Sequence, residues 1–244
     1  MASLKVIGRG KIATIYTDGT YAFKTYPESF PTAWIHYEYQ THQAVFEHTD
    51  LPLIRYKYLD GQRQIQMDYI QGKTLADRMR KDKYKQGLED FVQLQILIFK
   101  HSVPTLNDAF KVFESQIKQA HLNPELQEKA LQSLNKIEFK QQLCHLDFHL
   151  ENILFDGQKY IIIDWVNAKQ GNPVMDIARS YIIFKQYAQR LANKYLRLIC
   201  NAMSIEEADV YKAIPLMAFL RLLENDTDPF RHTLVSYILE ENHA

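Results

Sequence analysis

The sequence contains few cysteines and no excess charge of either sign. Cys144 and Cys200 are the only two cysteines among 244 residues, and neither belongs to a C-x-x-C pair or has histidines at zinc-ligand spacing. A disulfide framework and a zinc site are therefore excluded, and a reducing, cytoplasmic environment is favoured. Lys plus Arg and Asp plus Glu both total 29, so no overall field attracts the chain to nucleic acid or anionic lipid.

Long apolar runs are also missing. The N-terminus has no continuous apolar segment of the signal-peptide type, and the richest apolar stretch, residues 94–99, is far too short to span a bilayer. We therefore expect an unprocessed protein that has no membrane partner. Hydrophobic residues make up 46% of the chain, which is enough to bury a sizeable core.

The first 70 residues predict a small α+β lobe. Apolar and polar residues alternate over residues 4–25 around an Asp18-Gly19 turn, and two more strands are predicted within residues 53–70. Apolar residues at helical spacing predict a helix over residues 32–46. The pattern amounts to about five mostly antiparallel strands and one helix.

The remainder predicts a larger, mainly helical lobe, interrupted by one β island at residues 142–164. Helical periodicity covers residues 75–83, 89–101, 107–121, 124–138, 174–198, 204–223 and 229–241. Ser204 and Glu207 have capping-box spacing, and Asp228 is a further candidate cap. We predict two lobes, residues 1–70 and 71–244, that meet at a hinge at Gln71-Gly72 and form one cooperative unit.

The β island predicts a metal site. Asp156-Gly157 turns one apolar strand into the next, so Asn152 and Asp164 are expected at the open end of one antiparallel hairpin. Mg²⁺ takes one or two protein oxygens and fills its other positions with phosphate and water, so this pair suffices beside a triphosphate. Asp147 lies five residues before Asn152 in a polar loop, and we expect its carboxylate to face whatever the pair holds.

The same residues follow a pattern of known kinases. His145, Asp147 and Asn152 fit H-x-D-x-x-x-x-N, which marks kinase active sites when a metal-binding Asp follows. With His149 two residues after Asp147, and with Asp164 in Ile-Asp-Trp, the motif resembles the aminoglycoside phosphotransferase and choline kinase family. The resemblance implies a two-lobed, protein-kinase-like fold in which Asp147 is the catalytic base and Asn152 and Asp164 hold magnesium. The alternative is a capped hairpin with chance polar residues. Four identities at the correct spacing and the turn argue against that alternative.

By the same resemblance, the small lobe binds the nucleotide phosphates. Gly8 and Gly10 lie in a glycine-rich segment between two strands, with Ala13 where a third glycine is expected; a plain hairpin turn is the alternative. Lys24 lies where the family places the lysine that contacts the α- and β-phosphates. Glu38 would pair with Lys24, unless it is a surface carboxylate of the helix.

The adenine contacts are also implied by the resemblance. Residues 65–72 resemble the last small-lobe strand and the interlobe hinge, whose backbone would hydrogen-bond the adenine edge at about Asp68 and Ile70. A buried edge strand would have the same sequence character.

The segment after Asp164 indicates the class of acceptor. Eleven residues separate Asp164 from Asp176, and none of them is Ser, Thr or Tyr, so a phosphorylatable activation loop is excluded. A peptide platform needs a longer segment, which favours a small-molecule acceptor. Asp176 resembles a family Asp that braces the catalytic loop by hydrogen bonds, and His145 and His149 are expected to pack around that loop.

Two further features bear on the acceptor. Acidic residues near the C-terminus would suit a polyamine-like or aminoglycoside substrate, and ordinary surface charge explains them equally well; they are Glu224, Asp226, Asp228, Glu240 and Glu241. Trp165 and Tyr181 suggest an aromatic box for a quaternary ammonium group, with core packing as the alternative.

The predicted function is magnesium-dependent transfer of the terminal phosphoryl group of ATP or GTP to a hydroxyl of an aminoglycoside, amino-alcohol or related metabolite. The alternatives are an atypical protein kinase and a nucleotide-binding regulatory module without turnover. The expected partners are a nucleoside triphosphate and a small acceptor, not nucleic acid or membrane, and the oligomeric state is left open.

Overall fold

The computed structural model describes residues 4–224 and 227–240. The strands, in chain order, are β1 (Lys5–Arg9), β2 (Thr14–Thr17), β3 (Tyr21–Thr25), β4 (Tyr56–Leu59), β5 (Gln64–Asp68), β6 (Lys73–Thr74), β7 (Gln142–Cys144), β8 (Ile153–Phe155), β9 (Tyr160–Ile162) and β10 (Lys169–Gly171). The helices are α1 (Thr32–His48), α2 (Leu75–Lys81), α3 (Gly87–Phe99), α4 (Ala109–Gln119), α5 (Pro124–Lys136), α6 (Pro173–Tyr187), α7 (Gln189–Met203), α8 (Glu207–Tyr211), α9 (Ile214–Leu222) and α10 (Arg231–Leu239). Short 3₁₀ helices cover Leu150–Asn152, Trp165–Asn167 and Asp228–Phe230.

The described residues group into two compact units. The first contains the chain up to Tyr84 together with Leu150–Ala168, and the second contains Lys85–His149 and the chain from Lys169 onward. A division by compactness does not test which segments fold together or move as one. The predicted boundary at residue 70 and the predicted hinge at Gln71-Gly72 therefore stay predictions.

A five-stranded antiparallel sheet, in the order β1-β2-β3-β5-β4, forms the body of the first unit. The predicted Asp18-Gly19 turn joins β2 to β3. Gly19 has a φ of 96°, a value that glycine adopts without steric cost, and Asp18 Oδ1 accepts from the backbone N–H of Thr20 and of Tyr21 at 2.8 and 2.7 Å. The prediction of five strands and one helix in this part of the chain is confirmed.

A smaller sheet of the first unit carries the predicted metal hairpin. Strands β8 and β9 pair antiparallel, and β6 adds to the other edge of β8. Gly157, in the predicted Asp156-Gly157 turn, has a φ of 104°. At Gly72, just before β6, an added Cβ would lie 2.2 Å from the carbonyl oxygen of Phe155, so only glycine fits there.

The second unit is mainly helical, as predicted. Within it, β7 pairs with β10, and Cys144 lies opposite Lys169. Its core includes a cluster of aromatic rings in which Phe91 lies 4.6 Å from Phe148, 5.1 Å from Phe184 and 5.4 Å from Tyr195, measured between ring centroids. Asn123 caps α5 through its side chain, and Pro124 occupies the first turn.

Two long predicted helices are each divided. The helix predicted over residues 174–198 breaks at Ala188, whose backbone dihedrals are −148° and 50°. Alanine favours helix, so local propensity does not cause the break; α6 and α7 instead pack against each other, which one straight helix could not do. The helix predicted over residues 204–223 is interrupted between Tyr211 and Ile214, because Pro215, in the first turn of α9, has no N–H to donate to the carbonyl of Tyr211.

Both predicted caps near these helices are wrong. Ser204 takes a left-handed conformation, with a φ of 54°, at the end of α7, and α8 begins at Glu207 without a side-chain cap. The 3₁₀ turn Asp228–Phe230 likewise has no side-chain cap, and α10 follows it. The last residue of the helix predicted over residues 229–241, Glu241, lies outside the described residues.

Candidate active site

A buried lysine between two carboxylates is the main charged feature of the first unit. Lys24, on β3, places its Nζ 2.6 Å from Glu38 Oε1 and 3.2 Å from Asp164 Oδ1. The Lys24 side chain is 18% exposed and that of Glu38 is 7% exposed. The predicted pairing of Lys24 with Glu38 is confirmed, and Asp164 is a second partner that the sequence did not indicate.

The two carboxylates keep Lys24 charged. Burial by itself lowers the pKa of Lys24, but Asp164 and Glu38 outweigh it, so that the pKa lies well above its ordinary value. A fixed positive charge therefore faces the two acidic side chains, one of which belongs to the predicted metal pair.

Tyr26 adds a partner to Glu38 that sequence reasoning missed. Its hydroxyl donates to Glu38 Oε2 at 2.6 Å, and its ring lies beneath the ammonium of Lys24, 5.9 Å from the centroid. Burial raises the pKa of Tyr26, so the hydroxyl keeps its proton. A signal existed: residues two apart in an extended segment lie on the same face, which places Tyr26 beside Lys24.

The hairpin brings the predicted metal ligands to one end, as expected from its turn. Ile163 N–H donates to the carbonyl oxygen of Asn152 at 3.0 Å, directly beyond the last strand pair, Ile153 with Ile162. Asp164 follows with left-handed dihedrals of 65° and 58°, which are unusual for a residue other than glycine and occur at functional sites.

The donor chemistry fits magnesium. Asn152 offers an amide oxygen and Asp164 a carboxylate, the hard ligands that Mg²⁺ prefers. Within residues 4–224 and 227–240, no group of three or more His, Cys, Asp or Glu side chains is arranged to hold a metal ion. Mg²⁺ does not need such a group when phosphate and water complete its octahedron. The role of the pair stays a prediction.

The predicted glycine-rich segment is a tight turn. Gly8 lies within β1, where the pairing with β2 shifts between Val6 and Gly8, and Gly10 N–H donates to the carbonyl of Ala13 at 2.9 Å. A Cβ added at Gly8 or Gly10 would have no neighbour nearer than 3.5 or 3.4 Å, respectively. Local packing therefore does not require glycine at either position, and their phosphate contacts stay predictions.

The residues predicted to bind adenine lie at the end of β5 and just beyond it. Asp68 is the last residue of β5; its N–H donates to the carbonyl of Arg55 and its carboxylate accepts from the Arg55 N–H, both at 3.2 Å. Ile70 follows the strand and is half-buried. Contacts of Asp68 and Ile70 with adenine stay predictions.

In the second unit, Asp176 holds the loop that follows β7. Its two carboxylate oxygens accept from the backbone N–H of His145 and of Leu146, at 2.8 and 2.9 Å. Leu146 has a φ of 60°, so the bonds fix a strained turn directly before Asp147. Burial raises the pKa of Asp176 to about 7, against the opposing effect of these backbone bonds. The predicted bracing by Asp176 is confirmed, and the fully buried His145 packs against Phe148 as expected.

Asp147 lies beside two basic side chains, of which the sequence indicated His149 but not Arg179. Its side chain is 27% exposed, with Arg179 Nη2 3.9 Å from one carboxylate oxygen and His149 Nε2 3.9 Å from the other. Arg179 also binds Glu224 Oε1, and Arg221 binds the other oxygen of Glu224. Arg179 is three residues after Asp176 on α6, a spacing that puts both on one helix face, which is the signal that could have found it.

Acidic residues near the C-terminus and two aromatic rings suggested acceptor binding, and the structure shows the surroundings of both sets. Glu224 is neutralised by two buried arginines, so it does not contribute free acidity. Asp228 and Glu240 are exposed, whereas Asp226 and Glu241 lie outside the described residues. Trp165 is fully buried and donates to the carbonyl of Ile162 at 3.1 Å, and Tyr181 is 6% exposed. Core packing, the alternative to an aromatic box, therefore describes both rings.

Comparison with known proteins gives a family match and several structural matches. The model of the phosphotransferase enzyme family (APH) matches residues 15–208. A choline/ethanolamine kinase family protein from Mesorhizobium loti aligns with a TM-score of 0.65 and 14% identity, over 97% of this chain and 86% of that one. A thermostable mutant of aminoglycoside phosphotransferase APH(4)-Ia aligns with a TM-score of 0.64 and 15% identity, over 97% and 91%. A streptomycin–ATP–APH(2″)-IIa ternary complex aligns with a TM-score of 0.61 and 14% identity, over 97% and 90%.

At these identities the structural matches show the fold alone. The chain has the predicted two-lobed, protein-kinase-like α+β fold. A search of curated protein sequences found no match. None of the helices described is both long enough and apolar enough to cross a membrane.

Proposed function

Since the chain belongs to the phosphotransferase enzyme family, we propose that it transfers the terminal phosphoryl group of ATP or GTP to a hydroxyl of an aminoglycoside, amino-alcohol or related metabolite. The observation that carries the proposal is the charged, largely buried ammonium of Lys24 between Glu38 and Asp164. Removing the ammonium of Lys24 and the carboxylate of Glu38 from water is costly for stability. Such an arrangement is typical of a site that handles phosphate and metal.

The proposed nucleotide contacts belong to the first unit. Lys24 binds the α- and β-phosphates, held in place by Glu38, while backbone N–H groups around Gly8 and Gly10 approach the phosphates. Backbone groups at Asp68 and Ile70 bind the adenine. Asn152 and Asp164 would hold Mg²⁺, which supplies positive charge to the phosphate oxygens during transfer.

The proposed chemical step uses Asp147. Its carboxylate orients the acceptor hydroxyl and accepts its proton as the oxygen attacks the terminal phosphorus in line. The bond from that phosphorus to the bridging oxygen breaks, and the nucleoside diphosphate leaves. The hydrogen bonds from His145 and Leu146 to Asp176 support this role, because they fix the backbone on which Asp147 lies.

A small acceptor is supported by the short segment after Asp164. The eleven residues before Asp176 are taken up by the 3₁₀ turn Trp165–Asn167, strand β10 and the start of α6, which leaves little chain for a peptide platform. Among the structural matches, APH(4)-Ia forms a ternary complex with ADP and hygromycin B. A cytoplasmic location is proposed with it, supported by the buried free thiols of Cys144 and Cys200.

The test is release of nucleoside diphosphate in the presence of Mg²⁺ and a panel of acceptors: aminoglycosides, choline-like alcohols, sugars and generic peptides. One small alcohol should stimulate release and gain one phosphoryl group by mass. Asp147→Asn should lower the rate about 10²–10⁴-fold, the range for loss of a general base, without loss of nucleotide binding.

Two results would support one of the alternative functions instead. Stimulation by peptides alone would identify a protein kinase. Nucleotide binding without turnover on any acceptor would identify a regulatory module.

A further inference from the structure

Glu38 has two partners, and they occupy different oxygens of its carboxylate. Oε1 contacts the ammonium of Lys24 at 2.6 Å, and Oε2 accepts from the Tyr26 hydroxyl at 2.6 Å. Both Glu38 and Tyr26 are buried. A buried carboxylate with one partner could rotate about its last torsion, whereas partners on both oxygens fix its plane.

Strand pairing and ring stacking restrict Lys24 and Tyr26. Lys24 lies on β3, with Ile15 opposite on β2 and Ile65 opposite on β5. Tyr26 follows this strand directly, and its ring stacks on Phe30 with centroids 5.3 Å apart. The core of the first unit therefore holds the Tyr26 ring in place, with its hydroxyl directed at Glu38.

A hydrogen bond to a charged acceptor is among the stronger kinds, especially where water is excluded. The bond from Tyr26 is available only from a protonated hydroxyl, which burial maintains at neutral pH. Its consequence for Lys24 is indirect: with Oε2 occupied, Oε1 points at the ammonium, and the ammonium stays where it also meets Asp164.

We propose that Tyr26 is a positioning residue for nucleotide binding, which acts through Glu38 to hold Lys24 in place for the phosphates. The proposal rests on the nucleotide-binding part of the proposed function and not on the acceptor. Tyr26 does not touch the nucleotide in this scheme; it fixes the carboxylate that fixes the lysine.

The experiment measures the dissociation constant of Mg-ADP by calorimetry for the wild type, Tyr26→Phe, Glu38→Gln and the double variant. Tyr26→Phe removes one oxygen and keeps the ring in the core. We expect about tenfold weaker binding, in line with loss of a buried hydrogen bond to a charged group. The same change in the Glu38→Gln background should have little further effect, because the two residues act as one unit.

The matched control is Tyr58→Phe. Tyr58 lies on β4 in the same unit, and its ring packs against His36 and Tyr39, at 4.8 and 6.0 Å between centroids. This variant should bind Mg-ADP like the wild type. Thermal unfolding of all variants shows that each is folded at the temperature of the binding measurement.

A purely structural role for Tyr26 predicts a lower melting temperature with unchanged affinity, and that result overturns the proposal. Equal effects of Tyr26→Phe with and without Glu38 also overturn it, as does a wild type that binds no Mg-ADP. A wild type that binds Mg-ADP but phosphorylates no acceptor would contradict the proposed function and leave the binding test intact.

Discussion

At the scale of single residues, two aspartates of the second unit, Asp176 and Asp147, differ in burial. Asp176 is fully buried and holds two backbone N–H groups, whereas Asp147 keeps 27% of its side chain exposed. A general base must be accessible to its substrate, whereas a residue that only holds the backbone in place can be fully buried. The two aspartates therefore differ in environment in the way their proposed roles require.

The pKa of Asp176 predicts a pH dependence of stability. Burial raises it to about 7 from an ordinary value of 3.8, so the folded state binds the proton more tightly than the unfolded state. Between about pH 4 and 7 the folded state then holds more protons, and the free energy of unfolding falls as the pH rises through this window. Above about pH 7 the contribution is constant.

Asp176→Asn removes this titration. Urea denaturation at several pH values should show that the stability difference, wild type minus variant, decreases from pH 4 to 7. The variant should also be less stable by about 1–3 kcal/mol, because one amide oxygen cannot reproduce both carboxylate bonds. A difference that is independent of pH would contradict the raised pKa.

At the scale of elements, the β8–β9 hairpin determines where the proposed metal pair, Asn152 and Asp164, lies. A hairpin with a tight turn fixes its register, so the residues that flank the two strands must be neighbours. Asp164 then takes left-handed backbone dihedrals, which Asn tolerates better than most residues. That tolerance allows a substitution that changes charge without adding strain.

Asp164→Asn should therefore fold like the wild type and lose metal-dependent nucleotide binding. We expect ADP affinity in Mg²⁺ to fall at least about tenfold, since a carboxylate ligand becomes a neutral one, while ADP affinity measured in EDTA changes little. Calorimetry with and without Mg²⁺ checks this. An unchanged gain in affinity from Mg²⁺ would remove Asp164 from the proposed metal site.

Helices α6 and α9 carry the second element-scale feature, the arginine pair that shares Glu224. Arg179 lies on α6 and Arg221 on α9, and each binds one oxygen of Glu224 just beyond α9. Arg179 is also 3.9 Å from Asp147. The end of α9 is in this way connected, through one guanidinium, to the proposed base.

Arg179→Met should lower kcat about tenfold with little change in KM for the nucleotide, since Arg179 is a charged neighbour that would orient Asp147, and the proposed nucleotide contacts belong to the first unit. Arg221→Met is the control: it breaks the other half of the pair, so it reports the cost in stability alone. Steady-state kinetics and melting temperatures of both variants decide the matter. Equal kcat values in the two variants would assign Arg179 a purely structural role.

At the scale of the whole molecule, bound nucleotide should raise the stability of the chain. A ligand at 100 times its Kd adds about 2.7 kcal/mol to the free energy of unfolding. For a chain of this size that corresponds to a rise of about 5–10 °C in Tm. Differential scanning fluorimetry with Mg-ATP and with Mg-GTP should show it for at least one nucleotide and not for Mg²⁺ alone. Equal traces in all samples would contradict nucleotide binding.

The sequence predicted those elements that depend on local signals. The Asp-Gly turns, the five strands of the first sheet and the helix that carries Glu38 follow from alternation, periodicity and turn chemistry, all of which act over a few residues. Helix ends were less predictable. Ala188 interrupts a helical pattern without any local reason, and Ser204 ends a helix where its spacing with Glu207 suggested a start.

By itself, the sequence determined the hairpin that carries Asn152 and Asp164 and the loop motif around Asp147, because spacing along regular elements fixes which residues are neighbours. The pairing of Lys24 with Glu38, which lie on a strand and a helix, was implied by the family resemblance and is shown by the structure. Only the tertiary structure decided the partners that come from distant segments: Tyr26 as the second partner of Glu38, Asp164 beside Lys24, and Glu224 between two arginines. Such contacts depend on how elements pack in three dimensions, and a pattern along one element holds no information about the side chains of another.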